Sequence, residues 1–134
     1  MSFNPPFDWK TTKSPKFGDI FLPVAYIEMK SKSGEGKIFY PEIDTGAVIS
    51  VFSLNDCERL GYDLIAGDPF DLKGGLDGCY PSYIHKLEVK IGGRLFTSRI
   101  AFTAKRHNKQ YLGLMDIFDK FDVYFIKNQK THFS

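Results

Sequence analysis

The sequence predicts one mainly β domain of short strands, on the strength of three observations. Of its 134 residues, 43% are hydrophobic and 16% aromatic, and the many Phe and Tyr residues favour strands over helices. Apolar residues alternate with polar ones along several segments, as in half-buried strands. Turn residues recur at intervals of roughly 8 to 12 residues, which is typical of a compact, mainly antiparallel sheet. A chain of this length supports one core and not two lobes.

Composition argues against several classes of partner. The net charge is only +2, and Lys and Arg are mixed with Asp and Glu, so we expect no nucleic-acid partner. No apolar run approaches the roughly 20 residues that cross a bilayer, so we expect no membrane partner. The first residues lack a signal-peptide pattern, and a cytoplasmic location is expected. Cys57 and Cys79 are then free thiols, and with three scattered His residues they give no metal-ligand spacing. We expect no metal and no cofactor.

The N-terminal segment differs in composition from the rest. Residues 1–16 contain three prolines among Lys, Thr and Ser, which predicts an extended arm before a folded domain at residues 17–134. Phe7 and Trp9 indicate that part of this arm docks on a surface. Residues 17–30 then alternate like a strand.

The next elements are a hairpin and a capped helix. After a Gly-rich turn the chain returns as a strand over 37–43, and another apolar strand covers 48–52. Ser53 has the pattern of a helix N-cap, with Asp56 completing a capping box. Gly61 fits the left-handed residue that follows a short helix over residues 54–60.

The second half contains two hairpins and a predicted short helix. A strand over 69–73 leads to a glycine-dense tip, the chain returns over 83–91, and Gly92-Gly93 makes a tight turn into a strand over 95–103. Residues 115–121 follow an apolar run and are predicted to form a second short helix. A closing hairpin is expected between residues 123 and 133.

The tripeptide Asp44-Thr45-Gly46 is the strongest candidate for chemistry. It forms a sharp polar turn between apolar runs at 38–43 and 48–52. A carboxylate held at such a turn is partly removed from water, as acid–base catalysis requires. Asp and Gly are also common turn residues, so the tripeptide alone is equally consistent with an ordinary turn.

The ordered set of motifs resembles the retroviral-type (retropepsin-like) aspartic protease family. The matching features are Asp44-Thr45-Gly46-Ala47, the strand and helix ending at Gly61, the glycine-rich tip Gly74–Gly78, and Tyr111-Leu112-Gly113. The resemblance covers roughly residues 20 to 133, nearly the whole chain. The resemblance implies a compact, closed β-barrel-like acid protease lobe with one or two short helices and a flap hairpin.

The resemblance also implies a mechanism. Asp44 would be one carboxylate of a catalytic pair that shares a proton, because ionising both is costly. Thr45 and Gly46 would support it, and Leu112 and Gly113 would pack beneath it. No second Asp-Thr-Gly or Asp-Ser-Gly occurs. We therefore expect a homodimer with Asp44 of each subunit at the two-fold axis.

An extended polypeptide is the expected substrate. It would lie under the flap as a strand, against Ala47, Val48, Gly74, Gly75 and Leu76. A non-catalytic peptide- or protein-binding module on the same fold is the alternative, since fold does not dictate function. In a weaker alternative, the chain is a β-barrel interaction protein in which the Asp-Thr-Gly turn is accidental.

One motif departs from the family. Its members commonly follow the glycine at the position of Gly113 with Arg and then Asp or Asn. Here Leu114 and Met115 intervene before Asp116. The charged support that this Arg gives near the dimer interface is therefore missing or replaced.

Overall fold

A computed structural model describes residues 6–74, 78–127 and 129–134. This part of the chain contains thirteen strands and one α-helix, so the predicted mainly β class is confirmed. The strands are β1 (Phe7–Asp8), β2 (Lys10–Ser14), β3 (Gly18–Leu22), β4 (Ile27–Lys30), β5 (Gly36–Phe39), β6 (Glu42–Ile43), β7 (Ser50–Phe52), β8 (Asp68–Gly74), β9 (Gly78–Ile91), β10 (Arg94–Thr103), β11 (Tyr111–Leu112), β12 (Val123–Ile126) and β13 (Lys130–Phe133). The helix α1 is Leu54–Leu60, and Leu64–Ala66 forms a 3₁₀ turn.

One curled sheet of eight strands organises the molecule. Its order is β5-β4-β9-β10-β7-β11-β6, and β8 pairs with β9 beside this path. Most neighbours are antiparallel, but β7 pairs with β10 and β6 with β11 in parallel. Beyond β6, a bridge joins Glu42 to Val24, just before β4. The parallel pairs bring the segments on either side of Asp44 into the sheet.

The core lies between the curled sheet and α1. The largest fully buried side chains are Phe39, Phe52, Phe102, Phe133, Ile27, Met29, Leu60, Ile91, Ile100, Leu112, Ile117 and Val89. The predicted caps of α1 are confirmed: Ser53 and Asp56 form a capping box, and Gly61 adopts the left-handed conformation at φ 80°. None of the helices in the described residues is long and apolar enough to cross a membrane.

The first strand and the last two strands form a small sheet of their own, in the order β1-β13-β12. Phe7 pairs with Thr131, and its ring lies 5.8 Å from that of Phe133. The indole N–H of Trp9 donates to Thr131 Oγ1 at 2.7 Å. The two aromatic residues of the N-terminal segment therefore contact the C-terminal strand of the same chain.

The predicted strand over 17–30 is wrong as one unit. It is divided into β3 and β4, and Pro23 lies between them. Proline has no N–H for a sheet ladder, so the strand breaks there. The carbonyl of Pro23 instead accepts the N–H of Ile43 at 2.9 Å. β3 pairs with β2 in a separate two-stranded ribbon whose turn spans the predicted domain boundary at residue 16.

The second predicted helix, at residues 115–121, is also wrong, because this segment is a series of turns. Asp116 has a φ of 67°, in the left-handed region, and this interrupts a right-handed helix after its first residue. The N–H of Phe118 still reaches Leu114 O at 3.0 Å, as in a single helical turn.

Candidate active site

Asp44 sits where β6 ends, in a turn held by its own backbone. The N–H of Ala47 donates to Asp44 O at 3.2 Å, and the N–H of Gly46 donates to Asp44 Oδ1 at 2.9 Å. Asp44 is half-buried, whereas Thr45 and Gly46 are exposed. Among the described residues, the Asp44 carboxylate has no other hydrogen-bond partner. Most of its acceptor capacity is therefore open.

The segment Leu112-Gly113 lies directly beneath this turn. The N–H of Asp44 donates to Leu112 O at 3.0 Å, and Leu112 pairs with Ile43 in the parallel β11–β6 ladder. A Cβ on Gly113 would lie 2.5 Å from the carbonyl of Ile49 and 2.9 Å from Ala47 O. Only glycine allows this approach of two backbones.

Two further backbone bonds tie the chain after Gly113 to the Asp44 turn. The N–H of Leu114 donates to Ala47 O at 2.9 Å, and the N–H of Met115 donates to Val48 O at 2.8 Å. Val48 and Leu114 nevertheless expose 64% and 42% of their surface. The two hydrogen-bonded segments of the turn thus each carry an exposed apolar side chain.

Ser50 is a supporting residue that the sequence reasoning missed. Its side chain is fully buried, and its Oγ accepts the N–H of Gly113 at 2.9 Å. This bond satisfies a buried donor and joins β7 to the chain after β11. A Ser between Ile49 and Val51 in an apolar strand was the available signal.

Arg99 and Asp116 form a second unpredicted contact. The backbone N–H and Nε of Arg99 donate to Asp116 Oδ2 at 2.9 and 2.8 Å, and its Nη2 donates to Oδ1 at 3.0 Å. The hydrogen bonds from this guanidinium lower the pKa of Asp116 to about 2. A cation from β10 therefore fixes the turn that follows Gly113, where the sequence lacks the usual arginine.

The predicted flap corresponds to the β8–β9 hairpin. Its ladder runs from Asp68↔Ile84 to Gly74↔Gly78, where β8 ends. Gly75 and Leu76, two predicted substrate-binding residues, lie outside the described residues. Pro81 is accommodated in β9 opposite Asp71, and its carbonyl accepts the N–H of Ala104 at 3.0 Å.

The structure therefore brings together one group of the predicted residues. Asp44, Thr45, Gly46, Ala47 and Val48 form one turn, and Leu112 and Gly113 lie beneath it. Gly74 belongs to a separate hairpin. The hydroxyl of Thr45 has no hydrogen-bond partner among the residues described. The described chain thus presents a single supported carboxylate beside a hydroxyl that has no partner among the described residues.

No protein-family model matches the sequence, and no curated protein matches it. Among solved structures, the chain is similar to EIAV protease in complex with the inhibitor HBY-793. The TM-score is 0.51 at 19% sequence identity, and the match covers 76% of this chain and 88% of that chain. The likeness shows a fold related to that of a retroviral protease.

Proposed function

We propose that this chain is one subunit of a homodimeric aspartic endopeptidase. The main support is the arrangement around Asp44, a half-buried carboxylate on a turn that Leu112 and Gly113 brace from below. The proposal includes closure of the curled sheet into a barrel-like lobe, which the bridge between Val24 and Glu42 favours. A carboxylate that is held rigidly and left open is suited to proton transfer.

In the proposed dimer, the two-fold axis places the Asp44 carboxylates of both subunits side by side. The pair holds one proton, because two adjacent carboxylates cannot both ionise cheaply. The ionised carboxylate accepts a proton from a water molecule whose oxygen attacks the peptide carbonyl carbon. The protonated carboxyl donates its proton to the carbonyl oxygen, giving a tetrahedral intermediate.

The second half of the proposed reaction breaks the peptide bond. The amide nitrogen takes a proton from the carboxyl that received one from water, and the C–N bond breaks. The other carboxylate recovers its proton as the carbonyl re-forms. The pair returns to its single-proton state, so activity is expected below neutral pH, where that state is populated.

Thr45 and Gly46 have supporting roles in this proposal. The Thr45 hydroxyl is exposed and, among the described residues, has no partner, so it is available to the facing turn of the second subunit. The Gly46 N–H orients Asp44 Oδ1 at 2.9 Å. A Cβ on Gly46 would lie 3.3 Å from that same oxygen. Glycine therefore keeps the carboxylate accessible.

The proposed substrate is an extended polypeptide lying between the Asp44 turn and the β8–β9 hairpin. Ala47, Val48, Gly74, Gly75 and Leu76 are its proposed contacts. Main-chain hydrogen bonds to such a hairpin and to the backbone of Val48 give affinity, while alternate side chains reach apolar surfaces such as Ala47. Preference for bulky apolar residues near the scissile bond follows.

A peptide-binding module without catalysis is the second candidate, and one observation favours it. β1 pairs with β13 inside the chain, so this strand pairing needs no second copy. A monomer has a single Asp44 and cannot form the carboxylate pair. Such a chain would bind an extended peptide without cleaving it.

The two candidates are distinguished by comparing the wild type with Asp44→Asn on a mixed peptide library from pH 3 to 7. Asp122→Asn is the matched control, since Asp122 is exposed. The protease proposal expects cleavage by the wild type and the control, and none by Asp44→Asn. Binding without cleavage by all three proteins supports the module, and cleavage that survives Asp44→Asn excludes Asp44 as catalytic.

A further inference from the structure

The ribbon formed by β2 and β3 is a sheet separate from the two larger ones. Residues 10–14 pair only with residues 18–22, and none of these residues is buried. The tip is well formed, because Ser14 Oγ accepts the N–H groups of Lys16 and Phe17 at 3.3 and 3.2 Å. An isolated two-stranded ribbon is only marginally stable in water. A covering surface is therefore expected.

The base of the ribbon lies beside the Asp44 turn. Lys10 Nζ is 3.5 Å from Glu42 Oε1, and Pro23, the residue after the ribbon, accepts the N–H of Ile43 at 2.9 Å. Glu42 and Ile43 are the two residues immediately before Asp44. The ribbon and the turn are thus continuous parts of one surface.

Both parts of this surface expose apolar side chains. Phe17 and Phe21 of the ribbon are 73% and 39% exposed, and Val48 and Leu114 beside the Asp44 turn are 64% and 42% exposed. Backbone hydrogen bonds hold the segments of Val48 and Leu114 side by side. We call these two residues the Val48–Leu114 patch. Exposed apolar groups on one surface are available to be covered by a second protein surface.

The number of residues that a stable dimer interface needs supports the ribbon as part of that interface. A stable interface takes about 20 to 30 residues from each partner, whereas the turn from Asp44 to Val48 supplies five. β1 and β13 already pair with each other inside the subunit. The ribbon adds the thirteen residues 10–22 directly beside the turn.

We propose that the β2–β3 ribbon is a dimerisation arm that packs on the Val48–Leu114 patch of a second copy of this chain. This inference rests on the proposed dimer around Asp44. A two-fold axis at the Asp44 turns brings the ribbon of each subunit beside the turn of the other. Each subunit then covers the exposed Phe17 and Phe21 of its partner, and the interface is self-complementary.

Photo-crosslinking tests the position of the ribbon. The full chain is prepared with p-benzoylphenylalanine at position 17, and a matched protein carries it at Leu95, which is 62% exposed on β10. Nitrogen-15-labelled and unlabelled subunits are mixed, so that mass spectrometry separates crosslinks between subunits from those within one. We expect position 17 to crosslink to residues 44–50 or 112–116 of the other subunit, and position 95 to give no such product.

Other crosslink products overturn the proposal. They are a crosslink from position 17 within its own subunit, one to another face of the second copy, and one to an added peptide substrate instead of a second copy. The probe replaces a largely exposed aromatic residue with another aromatic residue, so folding is not at issue.

Sedimentation equilibrium of the double variant Phe17→Asp/Phe21→Asp gives an independent measure. We expect its dimer dissociation constant to rise at least tenfold, and that of the control Leu95→Asp to stay within twofold of the wild type. Unchanged dimerisation with intact Asp44-dependent cleavage overturns the arm and leaves the proposed function standing. A wild type that is monomeric and inactive overturns both.

Discussion

Asp44 and Asp116 lie in two turns of the same small region, and their carboxylates have different surroundings. Asp44 accepts one backbone N–H, from Gly46, among the described residues. Asp116 accepts three hydrogen bonds from Arg99, and its pKa falls to about 2. The guanidinium keeps the pKa of Asp116 low, so that carboxylate is ionised at neutral pH, whereas the Asp44 carboxylate keeps acceptor positions open to a ligand.

The Asp44 turn and the Asp116 turn are connected. Backbone bonds from Leu114 to Ala47 and from Met115 to Val48 join them. A substitution that distorts one turn is therefore expected to shift the backbone of the other. Their surroundings indicate a role in catalysis for Asp44 and a role in stability for Asp116. Substitutions whose effects on activity and on stability are measured separately test this difference.

The largest expected effect is on catalysis. Asp44→Asn should reduce peptide cleavage by about 10³-fold or more, because the amide cannot take up a proton from water. Its free energy of unfolding should stay within about 0.5 kcal/mol of the wild type, since Asn keeps an acceptor for the Gly46 N–H. Cleavage assays and urea titrations measure the two quantities. A loss of stability large enough to explain the loss of cleavage would contradict a catalytic role for Asp44.

Gly113→Ala should give the largest loss of stability. The new Cβ would lie 2.5 Å from the backbone of Ile49, which cannot move like a flexible side chain. We expect the free energy of unfolding to fall by about 2–4 kcal/mol. Gly46→Ala is the control, since its Cβ would meet only the Asp44 side chain at 3.3 Å. Equal destabilisation by both substitutions would show that the close approach at Gly113 is not the cause.

Ser50→Ala should lower the free energy of unfolding by about 1–2 kcal/mol, because the buried N–H of Gly113 loses its acceptor. Activity should also fall, since Gly113 supports the Asp44 turn. Ser50→Thr keeps the hydroxyl and serves as a partial rescue. Thermal unfolding and cleavage rates check both effects. A stable, fully active Ser50→Ala would mean that the Ser50 bond is dispensable.

Asp116→Asn should have the smallest effect, about 1 kcal/mol, because Arg99 is 45% exposed and solvent screens the pair. The native pKa of Asp116 is depressed, so its contribution is present above about pH 4 and is lost as the pH falls towards about 2. Asn tolerates the left-handed φ of 67°, so the variant removes the charge and one acceptor oxygen without straining the backbone.

Glu58→Gln is the matched control for this pair. Glu58 also binds an arginine bidentately, Arg106, but that pair is largely exposed. Urea titrations from pH 2 to 7 should show a smaller change for Glu58→Gln than for Asp116→Asn. If the difference between wild type and Asp116→Asn stays constant over that range, the Arg99 pair does not stabilise the native state.

The successful sequence predictions concern contacts between residues near each other in the chain. The capping box of Ser53 and Asp56 spans three residues, and the left-handed Gly61 directly follows the helix. The hairpin turn at Gly92-Gly93 likewise depends on adjacent residues. Hydrogen bonds over such short distances depend mainly on residue type, so pattern alone can predict them.

The wrong predictions concern segments whose conformation depends on distant partners. Residues 115–121 have the composition of a helix, but Arg99, from a strand seventeen residues away, holds Asp116 in the left-handed region. The position of Pro23 in the sequence predicts that the strand is interrupted there. It does not predict that the carbonyl of Pro23 accepts the N–H of Ile43. No local sequence pattern predicts which distant group forms a hydrogen bond with a given backbone atom or carboxylate.

The sequence by itself determined the β class, the Asp44-Thr45-Gly46 turn and the capped helix, because short-range hydrogen bonds and alternation specify them. Only the tertiary structure decided what surrounds the turn. Ser50 and Gly113 meet across sixty-three positions, and β1 meets β13 across the whole chain. Such contacts depend on how the curled sheet pairs its strands. This pairing leaves acceptor positions of the Asp44 carboxylate open, whereas the Asp116 carboxylate accepts three hydrogen bonds from Arg99.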